Sequence, residues 1–139
     1  MSSQHAPSEL LTMLVPLATL SVAVVYVPKP KGPETYAHVF LPDLEPIAIP
    51  ASPRGGGRSQ AERTLTALTS GLHQAMELRA SHVVLDAGDP HVVKMLRGDF
   101  VSRATHNEWD RLQRAIGRAS AIGTRVYIAG SDGLVRVGE

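Results

Sequence analysis

The chain has 139 residues, 43% of them hydrophobic and 19% charged, the size and balance of about one globular domain, which excludes wholesale disorder. Fourteen Lys and Arg against 13 Asp and Glu leave a formal charge of +1, so any nucleic-acid or acidic-membrane role needs local basic patches rather than a global field. The absence of cysteine removes disulfides, thiol nucleophiles, zinc ribbons and iron–sulfur clusters, and aromatics at 4% remove the extended stacking platform of many single-strand binders.

A cysteine-free chain of this kind is expected in the cytoplasm. Residues 10–27 carry no charge, close to the length a helix needs to cross a bilayer. Pro16, the hydroxyls of Thr12, Thr19 and Ser21, and the β-branched cluster Val22, Val24, Val25 and Val27 favour another division. That division is a short helix or irregular lead over 8–15, then a strand over 19–27. No Lys or Arg precedes the stretch, whereas a secretory signal opens with a positive region. The strand is preferred, and insertion into a membrane stays open at this point.

Pro28 to Pro33 reads as a loop, and residues 35–41 alternate as a second strand ended by Asp43. A third, short strand over 45–51 carries Pro46 and Pro50, which push it to a sheet edge. Residues 53–58 form a Gly- and Arg-rich loop. A helix over 59–79 begins with Ser59 and Glu62 at capping-box spacing and places Leu65, Leu68, Leu72, Ala75 and Met76 on one stripe. Residues 82–87, centred on Val83, Val84 and Leu85, read as a buried central strand. Asp89 and Pro90 then open a short helix stopped by Gly98. Residues 106–121 form a further helix with Trp109, Leu112, Ile116 and Ala119 inward and Arg111, Arg114 and Arg118 outward. A last strand covers 125–129.

The order β-β-β-α-β-α-α-β predicts an α/β fold with one mixed five-stranded sheet flanked by helices. Consecutive strands on short loops pair antiparallel, and strands reached through helices pair parallel by right-handed crossovers. The domain spans 19–130, between an N-terminal lead over 1–18 and a tail over 131–139.

Three stretches carry a resemblance to a known family. Gly32-Pro33-Glu34-Thr35-Tyr36-Ala37 is similar to a turn into a second strand; Ala67-Leu68-x-x-Gly71-Leu72-x-x-Ala75-x-Glu77-Leu78 to a first helix; and Val83-Val84-Leu85 followed by Gly88-Asp89-x-x-Val92-Val93 to a fourth strand and its turn. In this order they resemble the ribonuclease H-like family, over roughly residues 19 to 130. The family's closing helix is missing or reduced to the tail.

The resemblance implies two-metal phosphodiester hydrolysis, in which clustered carboxylates hold two magnesium or manganese ions about 4 Å apart. It places the bridging Asp in the middle of the first strand, where this chain has Val24, or Val27 with a shorter loop, and no acidic residue occurs between Glu9 and Glu34. The second carboxylate position falls on Thr64, with Glu62 two residues early and therefore about 200° round the helix. A shifted helix start is needed to bring Glu62 to that position, and its plain reading is the partner in the capping box. The third falls on Asp89, which is equally an N-cap, with Asp86 as runner-up. The fourth falls on Asp132, equally a turn residue.

Glu62, Asp89 and Asp132 are thus the candidate catalytic residues, and Glu62 and Asp89 the candidate metal ligands. Lys29 and Lys31 in one loop and Arg54 and Arg58 in another, followed by Arg63, are candidates for a basic rim on a phosphate backbone. Solvated loops sharing no face are the competing reading. Ser70-Gly71 lies inside a helix rather than at a nucleophile elbow, and none of the six histidines makes an i, i+4 metal pair.

Two functions are expected to compete. One is a catalytically degenerate module, a pseudoenzyme, that binds nucleic acid, as RNA/DNA hybrid or duplex, or a partner protein. The other is an active metal-dependent endonuclease that hydrolyses RNA in RNA/DNA hybrids. An unrelated α/β domain with an assembly role is the third reading.

Overall fold

The computed structural model describes residues 19–30, 34–51, 59–98, 105–130 and 133–138. The lead helix expected over 8–15 lies outside them. Strands β1 (Thr19–Val27), β2 (Glu34–Phe40) and β3 (Ile47–Pro50) precede helix α1 (Gln60–Glu77) and strand β4 (His82–Asp86). Helices α2 (Pro90–Leu96) and α3 (His106–Ala121) and strands β5 (Arg125–Gly130) and β6 (Gly133–Val137) follow.

These strands form one mixed sheet of order β3-β2-β1-β4-β5-β6. β1 pairs antiparallel with β2 and β2 with β3, while β1, β4 and β5 run parallel to one another. Each expected strand and helix that falls on described residues is present, within a few residues of its expected bounds. The strand count is corrected. The sequence predicts five strands and a tail over 131–139, but a sixth strand pairs antiparallel with β5, from Val126↔Val137 to Gly130↔Gly133. Only two residues separate that last pair, the spacing of a tight hairpin. β6 occupies the stretch to which the closing helix, expected to be missing or reduced, was confined.

Alternation along the strands sorts the sheet into two faces. Leu20 and Val22 of β1 sit beside Val39 and Ala37 of β2, Val83 and Leu85 of β4, and Val126 and Ile128 of β5, each 0% or 1% exposed. α1 lies over β1 and β2 and packs against α3. It contributes Leu65, Leu68, Leu72 and Ala75, all buried at the expected helical spacing. The Ser59 capping box is formed in both directions: Ser59 Oγ accepts from the Glu62 N–H at 3.2 Å, and Glu62 Oε1 accepts from the Ser59 N–H at 3.0 Å. At its other end Arg79 takes a left-handed φ of 61°. There the Arg79 N–H bonds Met76 O and the Ala80 N–H bonds Ala75 O, the paired bonds of a Schellman stop.

α3 buries Leu112, Ala115, Ile116 and Ala119 and turns Arg111, Arg114 and Arg118 outward, while Trp109 is half-buried. Arg118 Nη2 donates to His73 Nε2 of α1 at 3.0 Å, so this contact needs His73 neutral. Burial, then the Arg118 charge, lower the His73 pKa below its ordinary value, with Glu77 opposing. As pH falls the unfolded chain takes up this proton first, at about 6.5. The contribution to stability is therefore complete above that pH and is lost as pH falls towards the lower folded value. Thermal melts at about pH 8 and about pH 5 should show a smaller drop in Tm for His73→Gln than for the wild type, because the variant lacks this titration. Equal drops would dismiss the contact as a pH-dependent one.

Candidate functional site

Because β1, β4 and β5 are parallel, their C-terminal ends lie along one edge of the sheet, the edge at which open α/β sheets hold ligands. The chain leaves β4 at Asp86, whose Oδ1 accepts the Gly88 N–H at 3.1 Å. Gly88 turns at a φ of +70°, a conformation side-chain-bearing residues rarely adopt. Asp89 then caps α2, its Oδ1 accepting the His91 N–H at 2.9 Å, with Pro90 at the first helical position. Between this turn, α2 and the end of β5 lies a cleft of about 420 Å³ lined by Asp86, Gly88, Val93, Lys94, Arg97 and Gly130 among others. One carboxylate and two exposed cationic side chains thus line the same cleft, together with apolar groups such as Val93. That arrangement suits an anionic group held by Lys94 and Arg97 better than a bare cation.

Basic side chains collect at the same edge. Lys29 follows the C-terminal end of β1 and pairs with Glu34 at 3.5 Å, both side chains about half exposed (46% and 52%). The Tyr26 hydroxyl meets Thr64 in the first turns of α1, so the start of α1, with Arg63, also lies towards this edge. Lys31, Arg54, Arg58 and Asp132, all expected to contribute, lie outside the described residues.

The expected carboxylate positions are occupied differently. Val24 is half-buried, pairs with Ala37 across β1 and β2, and packs against the core. Thr64 is 0% exposed. Its hydroxyl donates to Gln60 O at 2.8 Å and meets the Tyr26 hydroxyl, which can donate to it. A half-buried, hydrogen-bonded hydroxyl pair therefore stands where the resemblance implies a second carboxylate. Glu62 and Asp89 each have a carboxylate oxygen engaged in a helix cap. Among the described residues no three His, Asp or Glu side chains gather as a metal would require. The residues at the first two positions that the resemblance implies, Val24 and Thr64, do not fit a pair of divalent ions: an isopropyl group cannot bridge them and a committed hydroxyl is a poor anionic ligand.

Lys94 and Arg97 were missed in the sequence reading. Their i, i+3 spacing on the helix after Pro90 was the available signal, but it does not indicate a shared cleft until α2 is placed against β5. No family model, curated protein or solved structure matches the chain. No helix among the described residues is long and apolar enough to cross a membrane, and the second half of the uncharged stretch over 10–27 is β1, inside the sheet.

Proposed function

We propose that the chain is a ribonuclease H-like module without metal-dependent hydrolysis that binds the phosphate backbone of an RNA/DNA hybrid or duplex. The observation that carries this reading is the replacement of the implied bridging Asp and second carboxylate by Val24 and by the buried Thr64, hydrogen-bonded to Tyr26. The order of the first five strands, an antiparallel meander followed by two parallel crossovers, supports the ribonuclease H-like assignment. Lys29, Lys94 and Arg97 at the C-terminal edge support the backbone-binding role, and Arg54 and Arg58 precede α1 in the sequence.

Phosphate neutralisation releases counterions, so affinity is expected to fall steeply between about 50 and 200 mM salt. Arg54→Glu with Arg58→Glu should weaken hybrid and duplex alike, because phosphate contacts position without reading bases. Fluorescence anisotropy on labelled hybrid, duplex RNA and duplex DNA measures both effects, and the same hybrid incubated with magnesium or manganese should remain uncut. Wild-type protein that binds none of the three overturns the nucleic-acid reading in favour of a protein partner. Cleavage that disappears in both Glu62→Gln and Asp89→Asn establishes instead an active endonuclease with a rebuilt metal site.

A further inference from the structure

The cleft beside α2 is more structured than a basic rim requires. Pro90, Val93, Lys94 and Arg97 of its lining stand at i, i+3, i+4 and i+7, so they share one side of α2, while Val92, Met95 and Leu96 bury the other. On the strand side, β4 and β5 pair in parallel up to Leu85↔Ile128, which sets Asp86 and Ala129 side by side in the next row. Leu85 and Ile128 are buried on the face that carries α1, so by alternation Asp86 and Ala129 point to the opposite face. Leu134 of β6 pairs with Ala129 and is 58% exposed, which places an apolar side chain beside that row.

Charge is ordered along this lining. Asp86 and Gly88 belong to the turn that leaves β4, whereas Arg97 caps the far end of α2, about 10 Å along the helix from Pro90. Lys94 lies one turn before it. An anionic group is therefore repelled at the turn and attracted towards the end of α2. The bond from the Gly88 N–H orients the Asp86 carboxylate, and a carboxylate has acceptor capacity for a hydroxyl as well. The space at the turn is open, since a methyl group at Gly88 would meet no atom within 4 Å.

Two neighbouring cations match one particular form of phosphate. A phosphate monoester is close to doubly charged at neutral pH, whereas each phosphate inside a strand carries a single charge. Size points the same way: about 420 Å³ falls within the range of about 300–1,000 Å³ usual for small-molecule sites. One nucleotide-sized group can enter, while a duplex can only lie across the mouth. We propose that this cleft binds a nucleoside phosphate monoester, its terminal phosphate on Lys94 and Arg97, its sugar hydroxyls towards Asp86 and its apolar surface against Val93. The inference rests on the reading of Lys94 and Arg97 as phosphate ligands given above, and narrows it from a backbone to a phosphorylated end or a free mononucleotide.

Equilibrium dialysis of the full chain against radiolabelled adenosine 5′-monophosphate tests this. Unlabelled adenosine and inorganic phosphate should each compete at least roughly tenfold less well than the unlabelled nucleotide, because each lacks half of the contacts. Lys94→Glu with Arg97→Glu, both exposed positions that the fold tolerates, should weaken retention at least roughly tenfold. Arg125→Glu is the control: it lies at the start of β5, about 16 Å along the strand from Gly130, beyond the screening length at physiological salt, and should change retention less than about twofold. Inorganic phosphate that competes as well as the nucleotide, or equal losses in the two charge reversals, overturns the inference. So does a nucleotide that is not retained while the hybrid still binds, a result that leaves the backbone reading standing. Retention of the nucleotide with no binding of hybrid or duplex supports the cleft and overturns the backbone reading instead. Anisotropy on 5′-phosphorylated and 5′-hydroxyl hybrids separates the two sources: tighter binding of the former identifies a strand end as the ligand, and equal binding with the nucleotide retained identifies a free mononucleotide.

Discussion

Leu68→Ala is expected to destabilise the protein by about 2–5 kcal/mol, the cost of lost apolar transfer plus an unfilled cavity. Leu68 is 0% exposed in the middle of α1, in the same core cluster as Leu20 and Val22 of β1 and Val83 and Leu85 of β4. Strands paired on both sides cannot easily move in to fill the space, which favours the upper half of the range. Urea denaturation should show a lower midpoint with an unchanged slope, since the surface exposed on unfolding hardly changes. Leu44→Ala is the control: at 56% exposure its loss should stay within about 0.5 kcal/mol. Similar losses at both positions would mean that α1 is not packed on the sheet as described.

The elements that were legible in the sequence are those whose signal is local. Thr19–Val27 announces itself by β-branching, and Ser59 with Glu62 marks the start of α1. Asp89 followed by Pro90 marks the start of α2 by the same logic of satisfying free amide groups at a helix end. β6 was missed because Leu134, Val135, Arg136 and Val137 make a short, weakly alternating run whose strand state depends on pairing with β5. What decides the candidate site is almost wholly non-local. Tyr26 and Thr64 are 38 residues apart, and nothing near either residue foretells their contact. The cleft exists only because α2 packs beside the end of β5, which brings Lys94 and Arg97 opposite Gly130. The caps formed by Glu62 and Asp89 were readable beforehand because a carboxylate three residues from Ser59, or just before Pro90, has a backbone partner within reach of its own turn.

Gly71→Ala should destabilise the protein, against the direction that helix propensity alone dictates. At an exposed position in mid-helix the change would stabilise by about 1 kcal/mol. Gly71, however, is buried on the face of α1 that meets the sheet. A methyl group there would overlap Cγ1 of Val22 and press on the Ala37 Cβ at 3.3 Å. Val22 cannot swing aside cheaply: its χ1 is stiff because it is β-branched, and it is 0% exposed in a strand paired on both sides. Overpacking of this kind costs about 1–3 kcal/mol, which outweighs the propensity gain. The glycine thus sets how closely α1 approaches β1 and β2. Val22→Ala alone should also destabilise, by leaving a cavity. In Gly71→Ala with Val22→Ala, the new methyl enters the space that the valine vacates, so the double variant should be more stable than the two separate losses predict, by about 0.5–3 kcal/mol. Equilibrium denaturation of the four proteins closes the cycle. Strict additivity, or a Gly71→Ala variant more stable than wild type, would show that the helix and the central strand are not in this contact.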